Sequence, residues 1–423
     1  MSIDAKYNLK KFILHELCET IFNIDELDLI MTSVVIYMTN QRFVTSSVFV
    51  GQIICFAIMF SFFKFITQTC VDILPGQTPD DKNCPPGQTK FTRPMLNAFM
   101  MVASMSLGFI YYFPFRHGKP GIPKVTRKSL LYILLPSLLD CCCSLLLLAG
   151  SIFIPMSLAL VLKGTRIFFS CLLAILLFKR KIRAYQWTGV VLALIGSGLA
   201  GLSAILNNSS AQSTTTTTMI VLGICLVIAG EFVRSLMVTI QEMQMKKGLC
   251  DPVFLMSLQG IYGGFFIFIA MLVAWKVVGG NDVDGSFESI AVTFQMASQS
   301  TSIIVMLCLV PIFSVTGFIC SAFVSKLLSA VHNAMASVMM TAVVWMFEII
   351  VHYSIDSHLG SKWGQYSALQ LVGFGFVVVA MIVYGPVVKF PKVFEYPTES
   401  KAELETKEEL KPYESRESME ENQ

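Results

Sequence analysis

Long apolar runs broken by short polar segments dominate this chain. Ten runs, roughly 46–69, 94–115, 129–149, 153–178, 184–206, 217–241, 255–276, 301–325, 327–351 and 366–389, approach the ~20 residues a helix needs to cross a bilayer. None alternates polar with apolar in the ~10-residue units of a transmembrane barrel. Helices are the remaining solution, because they satisfy their own backbone hydrogen bonds in lipid. The pattern therefore predicts an all-α polytopic membrane protein with ten transmembrane helices.

The flanks read differently. The stretch Leu29–Met38 is apolar but short, and it follows the charged ILHELCETIFNIDELD. Residues 1–45 are expected to form a cytosolic, interfacial N-terminal segment. No basic region followed directly by an apolar core marks a cleavable signal peptide. Residues 390–423 are rich in Glu and Lys and nearly without large aliphatics, so a disordered, acidic cytosolic tail is expected there.

Composition sharpens the class. Of 423 residues, 54% are hydrophobic and 14% charged, against about 25% charged in a typical soluble domain. A soluble fold could not hide that much apolar surface. The net charge of +3 says little, but its distribution orients the chain. RHGKPGIPKVTRK, from Arg116 to Lys128, holds five Lys or Arg, KRKIR (Lys179–Arg183) holds four, and Lys246-Lys247 follows the sixth run. The positive-inside rule puts all three loops, and with them both termini, in the cytosol. The loop NNSSAQSTTTTT lacks basic residues and offers acceptor triplets at Asn207 and Asn208, as a lumenal segment would. Most of the 12 Cys lie within apolar runs and read as packing residues. Cys70 and Cys84 fall in a loop on the expected oxidising side, where a disulfide is open to them.

Two halves echo each other. Gln186, Gly189 and Gly201 recur at constant offset as Gln370, Gly373 and Gly385. Each set lies in the last span of a five-span unit. Duplication predicts a first half over 46–206 and a second over 217–389. Packing alone would also account for the glycines.

The candidate chemistry is charge where lipid cannot solvate it. Lys163 and Arg166 share a helix face in the fourth span. Asp140 lies midway along the third. Glu231 and Arg234 repeat the i, i+3 spacing in the sixth, and Glu348 and His332 lie in the ninth. Such residues face a wet cavity or a partner. In one reading Asp140, Glu231 and Glu348 neutralise Lys163, Arg166 and Arg234 and lock the bundle. In the other, Lys163 and Arg166 bind the negative part of a solute, Asp140 borders the same substrate site, and Glu231, Arg234 and Glu348 gate the cavity or carry protons. Lys64, Glu242, Lys326 and Lys389 lie nearer span ends, where side chains snorkel to the interface.

The run from SLLDCCC through LKGTRIFF and KRKIR to QWTGVVLALIGSGLAG resembles the drug/metabolite transporter superfamily. It is most similar to the F-type members of solute carrier family 35, in nucleotide-sugar-transporter-like company. The matching features are Asp140, the Leu162-Lys163-Gly164 step, the basic turn and Gln186-Trp187-Thr188-Gly189. DPVFLMSLQGIYGG and LSAVHNAMASVMMTAVVWMFEI resemble that group's seventh and ninth spans. The chain departs from the pattern at Leu160, where a Gln is expected, and at Arg166 and Arg234, where apolar residues are usual. The resemblance implies two inverted five-helix repeats and alternating access. It also implies an endomembrane address (Golgi, endosome or lysosome) in preference to the plasma membrane. A small polar, anionic solute and the bilayer are the expected partners, with no nucleic acid and no cofactor; a homodimer is left open. The alternative is a non-transporting scaffold that recruits partners through its tail. An enzyme is not expected, because no metal-spaced ligand set, phosphate-cradling loop or Ser/His/Asp arrangement stands out.

Overall fold

The computed structural model describes residues 41–74, 84–118, 122, 123, 125, 127–154, 156–207, 217–280, 282, 285–354 and 362–385. Most of the expected N-terminal segment, the NNSSAQSTTTTT loop and the acidic tail lie outside the described residues. The chain divides after Ser47, and the helical bundle belongs to the unit from Val48 onward.

Ten helical segments are long and apolar enough to cross a membrane. Span 1 is α1, Gln41–Gln68. Span 2 is α2, Pro94–Ala103, continued through a 3₁₀ turn, Ser104–Leu107, into α3, Gly108–Phe115. Span 3 is α4, Arg127–Phe153. Span 4 is α5, Met156–Lys163, followed by α6, Thr165–Phe178. Spans 5, 6 and 7 are α7, Ala184–Asn207, α8, Thr217–Lys246, and α9, Pro252–Lys276. A short helix, α10, Ile290–Gln299, precedes span 8, which is α11, Thr301–Leu327. Spans 9 and 10 are α12, Ala330–Ser354, and α13, Ser367–Tyr384.

The outward faces are apolar. Ile110, Leu131, Leu176 and Phe265 are all more than 60% exposed, which water would not tolerate across so many helices. Ten apolar helices with apolar outer faces mark an integral, multi-pass membrane protein.

The residues at the span ends gather into two groups. The basic end carries Arg116, Arg180 and Lys246. The opposite end carries a small antiparallel hairpin, β1 (Cys70–Asp72) with β2 (Gln88–Lys90), in which Cys70 faces Lys90. A disulfide joins Cys70 to Cys84 at this end.

The disulfide end is held by buried charge. Arg93, which precedes α2, forms an ion pair of 2.5 Å with Asp282. Glu288 accepts from the Met95 and Leu96 amides at 2.8 and 3.0 Å, covering donors that the helix start would leave unmet. Burial holds the Glu288 carboxyl above the usual carboxylate range, although the two amides pull it down. The sequence pattern does not reveal α10, because ten residues cannot cross a bilayer. Its Val292, Met296 and Ala297 pack instead into the apolar cluster around Ile53, Met59 and Phe91.

The basic end is also knit by charge. Asp251 caps α9 through the Val253 amide at 3.0 Å and pairs with Arg116 at 2.5 Å. Glu242 does not snorkel as its position near a span end suggests; it is fully buried. Its Oε1 pairs with Arg180 at 2.9 Å and Lys246 at 2.7 Å, and its Oε2 accepts from the Ala330 amide at 2.7 Å. One carboxylate thus ties spans 4, 6 and 9. Beside it, burial pushes the Cys250 thiol up to about 12, so this cysteine stays protonated and unreactive at neutral pH.

Candidate functional site: a charged cavity between the spans

Span 4 breaks at Gly164. Its amide bonds to Val161 at 3.1 Å, and its carbonyl receives the Ile167 amide at 3.1 Å. Both are i to i−3 bonds, a local tightening of the helix. A side chain at Gly164 could not fit, since its Cβ would collide with the Ser197 side chain on span 5. The Lys-Gly step therefore seats span 4 against span 5, with Lys163 ending α5 and Arg166 in the first turn of α6.

Both side chains line a cavity of about 400 Å³. Asp140 and Ser144 of span 3 also line it, as do Glu231, Arg234 and Gln241 of span 6 and Gln259 of span 7. Phe60 belongs to the wall as well, with the Lys163 ammonium 5.7 Å from its ring centroid. The lining extends from Ser151, near the disulfide end of span 3, to Asn333, early in span 9. At Asn333 the cavity meets a polar knot. The Asn333 amide donates to Ser321 Oγ at 2.7 Å and Ser325 Oγ at 2.8 Å, and its oxygen accepts from Gln52 at 3.3 Å.

Five of the six charges conspicuous in the sequence, Lys163, Arg166, Asp140, Glu231 and Arg234, thus meet in one cavity. Among the described residues, no ion pair joins any two of these five. Asp140 accepts from Gln259 Nε2 at 3.1 Å, and Gln259 in turn accepts from Gln241 at 2.5 Å. Arg166 Nε and Glu231 Oε2 are buried with no hydrogen-bond partner. Glu348 stands apart. It is not among the lining residues and pairs with Lys64 of span 1 at 2.5 Å. The cations it was expected to neutralise lie elsewhere, because sequence spacing carries no information about contacts between distant spans. His332 bonds to Ser329 at 2.8 Å.

Sequence reasoning does not find Gln52, Gln241, Gln259 and Asn333. Uncharged amides are common enough in membrane helices that no single one stands out; only their convergence on one space does. Among the described residues, no group of three His, Cys, Asp or Glu could hold a metal ion.

No protein-family profile matches the chain. It is 26% identical over 305 residues to "Uncharacterized protein C12G12.12" of Schizosaccharomyces pombe, covering 70% of this chain and 87% of that protein. Against "Solute carrier family 35 member F6" of Homo sapiens it is 22% identical over 228 residues, 53% of this chain and 58% of that protein. The rat protein of the same name gives 23% over 230 residues. The match thus spans little more than half of these F6 proteins. A solved crystal structure superposes with a TM-score of 0.52 over 81% of this chain and 96% of its own, at 9% identity; that likeness concerns the fold alone. The likeness to member F6 is distant, and it agrees with the solute carrier family 35 resemblance read from the sequence.

Proposed function

We propose that the protein is a secondary-active transporter that moves a small polar solute with an anionic group by alternating access between two inverted five-helix halves. The observation that carries this reading is the cavity itself: three cations on candidate membrane-spanning helices, none held in an ion pair among the described residues. Charge in that position costs several kcal/mol unless water or a partner compensates it. A structural role would be served by closed ion pairs, such as those this chain makes at both of its ends. Cations left apart around a cavity suit a passenger that arrives and leaves.

In this reading Lys163 attracts the anionic group, and Arg166 and Arg234 share it. Asp140, positioned by Gln259, borders the same space. Alternating access requires ties between the halves that close one end and then the other. Candidates stand at each end. Lys64–Glu348 joins spans 1 and 9 toward the disulfide end. Arg180–Glu242–Ala330 joins spans 4, 6 and 9 at the basic end. Glu348 keeps a gating role here, as a tie between halves rather than as part of the cavity. The basic end would face the cytosol, and the Cys70–Cys84 disulfide would face an oxidising lumen, in keeping with an endomembrane address.

The test is uptake of a panel of radiolabelled organic anions into vesicles holding the purified protein. Lys163→Ala is expected to lower flux of the accepted anion by roughly tenfold or more, the worth of a charge-assisted hydrogen bond. Unchanged flux of every accepted anion would remove Lys163 from the site.

A further inference from the structure

We infer that the solute carries an ammonium group beside its anionic group, and that Glu231 receives it; this rests on the cavity being a transport site. The two carboxylates that border the cavity differ in occupancy. Asp140 is engaged, by Gln259 at 3.1 Å and by the neighbouring Cys143 thiol at 3.8 Å. Glu231 is not. Its residue is 4% exposed and its Oε2 is buried without a donor. Arg166, 7% exposed, has the opposite lack, an Nε–H without an acceptor. Both border the same space and do not satisfy each other.

A buried carboxylate oxygen without a donor is costly, and so is a buried guanidinium N–H without an acceptor. A purely anionic solute would cure the second defect and worsen the first, since its charge would face Glu231 as well. A solute with both signs cures both. The spacing suits a compact molecule: Glu231 and Arg234 are three residues apart on α8, a rise of about 4.5 Å. The rings of Phe56, Phe60 and Phe318 also line the cavity, and aromatic faces accommodate a cation. Three cations against two carboxylates leave the lining one positive charge in excess. The complementary passenger is a compact aminated carboxylate or aminated phosphate of net charge zero or minus one.

The experiment uses the full chain in vesicles and matched probe pairs: amino acids, dipeptides and phosphoethanolamine, each beside its N-acetylated twin, which keeps the anion and loses the ammonium. The free amine of an accepted pair should enter roughly tenfold faster than its twin, as expected for one charge-assisted hydrogen bond. Glu231→Gln should bring the two rates within about twofold, mainly by slowing the amine. Glu231→Asp, which keeps the carboxylate, should retain the preference and so exclude general misfolding as the cause. Equal rates for amine and twin in the parent protein, or a preference that survives Glu231→Gln, overturns the inference. If acetylated anions still enter with Lys163-dependent flux, the transport reading stands without it. If no anion of either kind enters in a Lys163-dependent manner, both fail together.

Discussion

Glu231 and Glu288 are both buried, and their surroundings give them different work. Glu288 caps the start of α2 through two backbone amides, and Arg93 and Asp282 belong to the same charged cluster. Its carboxyl is held above the ordinary range by burial. A carboxyl raised in the fold binds its proton more tightly there than in the unfolded chain, where its pKa is about 4.3. Its contribution to stability is therefore full below that value and declines as pH rises through the folded pKa. The Tm of the detergent-solubilised protein should fall more steeply as pH rises above about 4.3 in the parent than in Glu288→Gln. Parallel curves would show that this carboxyl does not titrate in that window.

Residues of this kind divide what the sequence could disclose from what it could not. Lys163 and Arg166 are conspicuous because a charge inside an apolar run violates the solvent around it. Arg93, Asp282 and Glu288 sit in polar loops where charges are expected, so nothing distinguishes them before folding brings them together. Lys64 and Glu348 are each visible, but their mutual contact crosses most of the chain.

At the scale of elements, the ten spans were legible because bilayer thickness fixes a length and apolar composition fixes a class. The interruptions were not. The 3₁₀ turn at Ser104–Leu107 and the break at Gly164 leave hydropathy unchanged; both are set by contacts with neighbouring helices. Spans 5 and 10 show how close such contacts become. Gly196 lies where a Cβ would meet the Gly373 carbonyl oxygen at 2.6 Å, a backbone atom that cannot turn aside. Gly198, two residues on, has open space around the same position. Gly196→Leu should destabilise by about 1–3 kcal/mol through overpacking. Gly198→Ala should be neutral or gain up to about 1 kcal/mol from its better helix propensity. Thermal unfolding in detergent compares the two, and equal effects would contradict the packing of α7 on α13. Gly373, one of the glycines that echo between the two halves of the sequence, thus has a packing role.

For the whole molecule, the arrangement is a bundle whose ends carry ion pairs and whose middle holds charges left apart. Arg180 and Lys246 pair with Glu242 at one end, and Arg93 pairs with Asp282 and Lys64 with Glu348 toward the other. Lys163, Arg166 and Arg234 line the space between. On the proposed reading, that contrast separates a passage from a merely tolerated burial of charge, and it depends on water reaching the middle. The most direct measurement is the reactivity of Lys163→Cys toward a water-soluble methanethiosulfonate in intact membranes, mapped by mass spectrometry. Leu176→Cys, on the outward face of span 4 where the native side chain is 64% exposed, is the comparison. Because only a hydrated thiol ionises readily, position 163 should label at least about tenfold faster than position 176. Equal, slow labelling at both would mean that the cations sit against hydrocarbon or in a dry core, and that no aqueous site exists for a solute to enter.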